Sequence, residues 1–477
     1  MSRRPFLRES PTDKLFRYRG VVLVVSVPVL LLLLVVGLMP RGSPQEDLPP
    51  LPRHKDPQEA EPKAIPIQGQ EQEEMRYAVV LDAGSTGSRV HTYRFRNGEG
   101  GGLELVDDDF HQLKPGLSSF KDDPDKGAAS LAPLLDAAKE RVPASAHAST
   151  PIELRATAGL RLLPEAQAEA LLSAARTALE ASPFSVAKDA VSIMEGADEG
   201  AFQWVTINYL LGKLGGAPSK TVAAVDLGGG SVQMARALHQ NDAAAAPKGY
   251  VRQLRGGGAS YHVYVHSYLG YGLMAARAAV LHSAGARGGH PCVLPGTNTT
   301  YSYAGAKHHV QGREHTEVDE SFASCSAVVQ GALNKDKACK EGPADECSFD
   351  GVWGGGASAS SSLSDVHLSS YFFDRAQQAG LVGEDVISGD TTPGEFGKAA
   401  VRACGAESAE AAAIGFSGVG DSDAPYLCID LTFCHTLLTQ GFGLGSDAQL
   451  KLVKRIPYQG TEIEAAWPLG AAINSLG

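Results

Sequence analysis

Residues 79–95, VVLDAGSTGSRVHTYRF, read as a strand, a tight glycine turn and a returning strand. Tyr77 to Leu81 is an apolar run of the kind a buried strand needs. Asp82 ends it, Gly84-Ser85-Thr86-Gly87-Ser88 makes the turn, and Arg89 to Phe95 alternates back. A second unit of this form stands at Val225 to Ala235, VDLGGGSVQMA, where an apolar run again ends in an aspartate, Asp226, before glycines and a small hydroxyl residue. The repetition predicts two related lobes of an α/β protein, each giving one glycine-rich hairpin to a shared cleft. Helical spacing over Ala166 to Leu179 and Gly200 to Leu211 places helices between these strands. The alanines of 243–246 and the Gly/Ser run of 354–362 read as surface loops.

Glycine permits the close approach and positive φ of an anion-binding turn, so backbone N–H groups and hydroxyls of such hairpins can converge on phosphate oxygens. Asp82 then faces a metal ion. Either turn alone serves as well as a structural hairpin; together they favour phosphate binding. Neither fits the GxxxxGK[ST] phosphate loop, and neither supplies GxGxxG ahead of a helix, so P-loop and Rossmann chemistry lose support.

The chain of 477 residues exceeds what a single core of roughly 250 to 300 residues accommodates. Its 43% hydrophobic and 20% charged residues are ordinary for a globular protein, and a net charge of -12 disfavours nucleic acid as a partner. Residues 1–20 form a basic tail carrying Arg3, Arg4, Arg8, Lys14, Arg17 and Arg19. Val21 to Met39 follows without a charge, long enough to cross most of a ~30 Å hydrocarbon layer. Leu38, Met39 and Pro40 offer no small-residue cleavage site, so this is an uncleaved anchor, and the basic flank keeps the tail in the cytosol. The expectation is a single-pass type II protein with one N-terminal helix in the membrane. Residues 40–74, rich in Pro, Glu, Asp and Gln, read as a disordered stalk. All seven cysteines lie beyond it, where an oxidising lumen pairs them and leaves one over. Asn298-Thr299-Thr300 is a glycosylation sequon in the same half.

Five segments, in order and spacing, resemble the apyrase regions of the nucleoside triphosphate diphosphohydrolases. They are the 79–95 stretch, LRATAGLRLL at 154–163, EGADEGAFQWVTINYLLG at 195–212, VDLGGGSVQMA at 225–235 and AAWPLGAAI at 465–473. The stretches HSYLGYGLMAARA and YLCIDLTFCHTLLTQGFGLG make the resemblance strongest to plant apyrases with an N-terminal anchor. The resemblance implies two ribonuclease-H-like lobes of the actin/Hsp70/sugar-kinase type, lobe I over 75–195 with 455–477 returning to it and lobe II over 196–454.

It further implies hydrolysis of the terminal phosphates of nucleoside tri- and diphosphates. Glu199 is the general base on this reading, with Ser231 and Gln233 orienting the water. Asp82 and Asp226 hold Ca²⁺ or Mg²⁺ through its water shell, and hard oxygen ligands suit either ion. Gly84, Ser85, Thr86, Gly87, Gly228, Gly229 and Gly230 bind phosphate, joined by Thr157 and Ala158. Arg155 and Arg161 read chiefly as structural ion-pair residues, and Glu195 and Asp198 as a solvated helix start. Cys434, where plant members carry an aromatic, becomes the unpaired cysteine, with Cys404 and Cys428 a pair. Tyr371-Phe372-Phe373 serves base stacking or an ordinary core. A single span directs the enzyme to the Golgi lumen, acting on UDP and GDP, with the plasma membrane as the alternative. The competing class is a tethered nucleotide or glycan sensor that binds without hydrolysis; a kinase or polyphosphatase on the same fold is disfavoured by the Glu199 segment and the full set of five.

Overall fold

The computed structural model describes residues 75–476 apart from 85, 99–101, 284–288, 315–317, 357–362 and 364. The basic tail, the 21–39 span and the stalk lie outside the described residues. Among the described residues no helix is long and apolar enough to cross a membrane.

Two mixed sheets are built on one plan. In the first, β1 (Arg76–Ala83) pairs antiparallel with β2 (Ser88–Asn97), which pairs with β3 (Leu103–Leu113); on its other side β1 runs parallel to β4 (Pro151–Ala156), and β4 to β5 (Ser185–Ile193). In the second, β6 (Ala223–Leu227) pairs antiparallel with β7 (Ser231–Ala237), followed by β9 (Ala259–Leu269) and β8 (Val251–Gly256). On the other side of β6 lie parallel β12 (Val366–Ser370) and β14 (Leu450–Val453), with β13 (Ser388–Thr391) at the edge. Each aspartate-bearing strand thus sits at the centre, between its own hairpin partner and a parallel strand. Central strands are covered on both faces, which is why β1 and β6 read as continuous apolar runs rather than alternating ones. Two small hairpins stand apart: β10 (Asn298–Tyr303) with β11 (Ala306–Gln311), and β15 (Arg455–Tyr458) with β16 (Thr461–Glu464).

The seven helices that matter for the site are α1 (Glu165–Glu180), α2 (Gly196–Leu210), α3 (Leu273–Ser283), α4 (Tyr371–Gln378), α5 (Pro393–Cys404), α6 (Leu427–Thr436) and α7 (Pro468–Leu476). Helix α2 is buried nearly all round, because Trp204 and Ile207 pack in one cluster with Val80 and Phe95 of the first sheet, Val263 and Val265 of the second, and Leu469 of α7. Such a helix carries a carboxylate at its first turn only where the carboxylate has work or a partner. Helix α2 begins at Gly196, ahead of the predicted Gly200, since a glycine there lets the backbone press against Ser267 and Arg161. Gln240–Ala245 is a short helix where a loop was expected; alanine's high helix propensity accounts for it.

Three disulfides form, Cys292–Cys325, Cys339–Cys347 and Cys404–Cys428, and Cys434 is free and buried on α6.

Candidate active site

Both glycine turns close in the same way. Gly84 N–H donates to Gly87 O at 3.0 Å, and Gly228 N–H to Ser231 O at 3.0 Å. The glycines are there for space: a Cβ on Gly87 would lie 2.9 Å from Leu113 O, and one on Gly230 2.7 Å from Ala158 Cβ. Thr157 N–H donates to Ala83 O at 3.3 Å, which seats Thr157 and Ala158 at the end of β1. Ala158 then touches Gly230 and bridges one turn to the other. Between them lies a cavity of about 490 Å³, whose wall includes Gly84, Thr86, Thr157, Ala158, Gly228, Gly229 and Gly230. Ser85 lies outside the described residues.

Asp82, Glu199, Asp226 and Ser231 line the same cavity. Each carboxylate residue is only 8% exposed. Burial raises all three; for Glu199 it is joined by the charges of Asp226 and Asp82 and opposed by Arg161, and the carboxyl is pushed up to about 7. Asp82 is raised by burial against the pull of Arg89, whose Nη1 donates to Oδ2 at 3.0 Å. Asp226 is raised by burial too, against hydrogen bonds from Ser370 and Ser369. These are groups set apart from ordinary surface carboxylates by desolvation and mutual repulsion, the usual signature of a site rather than of a scaffold.

A polar row crosses four adjacent strands of the second sheet. Ser369 on β12 stands beside Asp226 on β6, Asp226 beside Gln233 on β7, and Gln233 beside Ser267 on β9. Ser369 Oγ donates to Asp226 Oδ1 at 3.1 Å. Gln233 Nε2 donates to Ser231 Oγ at 2.7 Å, to Glu199 Oε2 at 3.0 Å and to Ser267 Oγ at 3.1 Å. Helix α2 lowers Glu199 onto this row, and Arg161 donates to its Oε2 from the other side.

The oxygen set fits a divalent cation. Asp82 Oδ1 is buried with no protein hydrogen bond, and three carboxylates that repel one another gain from a shared positive charge. Among the described residues the one tight group of three metal-ligating side chains is Cys325, Cys404 and Cys428, all disulfide-bonded. Asp82, Glu199 and Asp226 do not form such a group.

Several functional neighbours escaped the sequence reading. Arg161 was expected to be structural and lies against Glu199, whereas Arg155 does stay with Glu153 and Ser192. Ser267 stands in the HSYLGYGLMAARA stretch but carried no assigned role, and Ser369 left no signal, because cross-strand neighbours of this kind are far apart in sequence. Glu195 is exposed and Asp198 half-buried, and both meet Arg252. Of the aromatic trio, Phe372 and Phe373 are both buried in the core, Phe373 also bordering the cavity, while Tyr371 lines the cavity and hydrogen-bonds Thr86. Asn298 is exposed at the start of β10. It borders a second cavity, about 630 Å³, lined by Tyr301, Tyr303, Tyr426 and Arg277; Thr86 and Asp423 belong to both cavities and join them.

The chain is similar to Probable apyrase 2 of Oryza sativa subsp. japonica, 42% identical over 97% of this chain and 95% of that one. It is 42% identical to Apyrase 1 of Arabidopsis thaliana over 84% of this chain and 85% of the relative. The human nucleoside diphosphate phosphatase ENTPD5 is 35% identical over 84% and 87%. The fold is that of the nucleoside triphosphate hydrolases from Neospora caninum, with a TM-score of 0.58 over 84% of this chain and 93% of that one at 15% identity. The GDA1/CD39 (nucleoside phosphatase) family model matches residues 68–476, so the two hairpins, the helix that carries Glu199 and the closing helix all fall within it, and the chain belongs to that family of nucleotide-hydrolysing enzymes.

Proposed function

We propose that Glu199 takes a proton from water and aims it at the terminal phosphorus of a nucleoside tri- or diphosphate, releasing phosphate and finally the monophosphate. The observation that carries this is a buried carboxylate, pushed up to about 7, hydrogen-bonded to Gln233 at the wall of a cavity floored by two glycine turns. A general base works best with a pKa near the operating pH. Ser231 and Gln233 orient the water. The N–H groups of the two turns, with Thr86 and Thr157, take the phosphate oxygens and meet the charge that develops on them. Asp82 and Asp226 hold Ca²⁺ or Mg²⁺ through water, and that ion supplies electrostatic stabilisation of the phosphoryl oxygens. The nucleoside lies in the adjoining cavity beside Tyr301 and Tyr426. The two sheets serve as two lobes of the actin type, 75–195 with 455–477 and 196–454. The basic flank and the uncharged run of 21–39 support a type II anchor, and with it a Golgi lumen enzyme acting on UDP and GDP.

The full-length chain, made in an oxidising host, is to be assayed for phosphate release from ATP, ADP, UDP and GDP with Mg²⁺, Ca²⁺ or chelator, beside Glu199→Gln. Metal-dependent release that falls ~10²- to 10⁴-fold in the variant is expected. A wild-type chain that binds nucleotide and releases no phosphate would make it a sensor instead.

A further inference from the structure

We infer that Ser267 is a positioning residue for this hydrolysis, fixing the side-chain amide of Gln233. The inference rests on Gln233 being the group that orients the water.

Gln233 and Ser267 are direct partners in the antiparallel β7–β9 ladder, so their side chains leave the same face of the sheet as close neighbours. Gln233 Nε2 carries two hydrogens and meets three oxygens: Ser231 Oγ, Glu199 Oε2 and Ser267 Oγ at 2.7, 3.0 and 3.1 Å. The other end of the amide, Oε1, is buried without a protein partner. A primary amide is planar and its two ends differ as donor and acceptor, so fixing Nε2 fixes Oε1 on the opposite side. That leaves Oε1 as the acceptor for a water's hydrogen. The reversed amide would set an acceptor oxygen against the Glu199 carboxylate, which decides which end faces it; the two hydroxyls, able to accept or donate, hold the angle of the amide.

Of these three neighbours, Glu199 and Ser231 already belong to the reaction; Ser267 is the one supplied from outside. Its own position is tied to the helix that brings Glu199. A Cβ at Gly196 would collide with both Ser267 Oγ and Arg161 Nη1, so the hydroxyl and the guanidinium crowd the same glycine at the start of α2. Ser267 thereby links the angle of the Gln233 amide to the seat of Glu199. Removing its hydroxyl takes away the contact that comes from the neighbouring strand, and the amide gains room to swing while the phosphate turns stay untouched. The loss belongs in the chemical step and not in nucleotide binding.

The test is a double-mutant cycle on the full-length enzyme, with Ser267→Ala, Gln233→Ala and the pair assayed for kcat and KM, and thermal midpoints recorded beside them. Losing a net hydrogen bond that acts on the reacting geometry is expected to lower kcat roughly 5- to 10-fold, with KM within about 2-fold. In the Gln233→Ala background the same change is expected to cost nothing further. Ser267→Cys, which keeps shape with a much weaker acceptor, is expected to match Ser267→Ala and serves if the alanine variant does not fold. An equal loss in both backgrounds, a loss confined to KM, or no loss at all overturns the inference. Full activity in Gln233→Ala itself overturns the role given to Gln233, an outcome separate from the others.

Discussion

Arg161 and Gln233 both donate to Oε2 of Glu199, one from the segment after β4 and the other from β7, and the second carboxylate oxygen receives neither bond. The base is thus held by one of its oxygens, from both sheets at once. Its charge state is set by a contest: burial, Asp226 and Asp82 push the carboxyl up, and Arg161 pulls it down.

That contest has a pH signature. Glu199 works ionised, so kcat/KM falls as pH drops through its pKa. Arg161→Met removes the guanidinium that opposes the upward shift and moves the acid limb to higher pH, by roughly one unit or more. Rates between pH 5.5 and 9.5 for both proteins check this; a limb that stays put, or moves down, would remove Arg161 from the site's electrostatics.

His91 predicts a stability window at alkaline pH. Burial alone would lower it, but Asp108 at 3.1 Å and Glu464 at 3.3 Å hold it charged and raise it from 6.5 to about 10. A group raised on folding stabilises fully below its unfolded value, and that contribution is lost as pH climbs through the folded one. The wild-type thermal midpoint is expected to decline between pH 6.5 and 10. His91→Asn leaves two buried carboxylates without their cation, costs about 3–5 kcal/mol near neutrality and flattens the decline.

Two of the three glycines of the second turn, Gly228 and Gly230, are expected to differ. At Gly230 a Cβ would lie 2.7 Å from Ala158 Cβ and 3.0 Å from Tyr303 Oη, whereas at Gly228 its single near neighbour is Ser231 O at 3.2 Å. Gly230→Ala should lower stability by roughly 1–3 kcal/mol and raise KM as the turn moves off Ala158. Gly228→Ala should be milder on both counts. Denaturant unfolding and steady-state kinetics on the two variants give the comparison.

Thiol counting examines the cysteine framework. With three disulfides and a buried Cys434, an aromatic disulfide reagent should find no reactive thiol in the native protein and one per chain in denaturant without reductant. Cys434→Ser should abolish that single thiol. More than one thiol in the denatured, unreduced protein would break the pairing.

The sequence made the hairpins legible because turn chemistry is local: an aspartate, glycines and a hydroxyl within six residues suffice to place Asp82 and Asp226 at strand ends. Glu199 stood out for a similar reason, in a segment with its own pattern. What stayed hidden is what pleating and crossovers assemble. Ser369, Asp226, Gln233 and Ser267 form one row only because β12, β6, β7 and β9 lie side by side; nothing near Ser369 marks it, and the HSYLGYGLMAARA stretch around Ser267 does not say which strand it will face. Arg161 was ambiguous because an arginine after an Ala-Gly turn looks the same whether it meets a surface acid or a buried base. Gly196 looked like part of an acidic approach to the helix, and its role as a point of close packing depends on a strand that is made much later in the chain.

Helix α7 packs on β1, and Arg76 Nη2 donates to Leu476 O at 2.7 Å, across 400 residues of chain. The strand that founds the first sheet is therefore roofed by a segment the ribosome delivers 400 residues later. During translation β1 stays unroofed on that face until residues 468–476 have been made, an interval set by the rate of synthesis rather than by the rate of any folding step. Until then Val80, which shares a buried cluster with Leu469 of that helix, lacks this cover, so the synthesis of residues 468–476 is the step that lets the first sheet close.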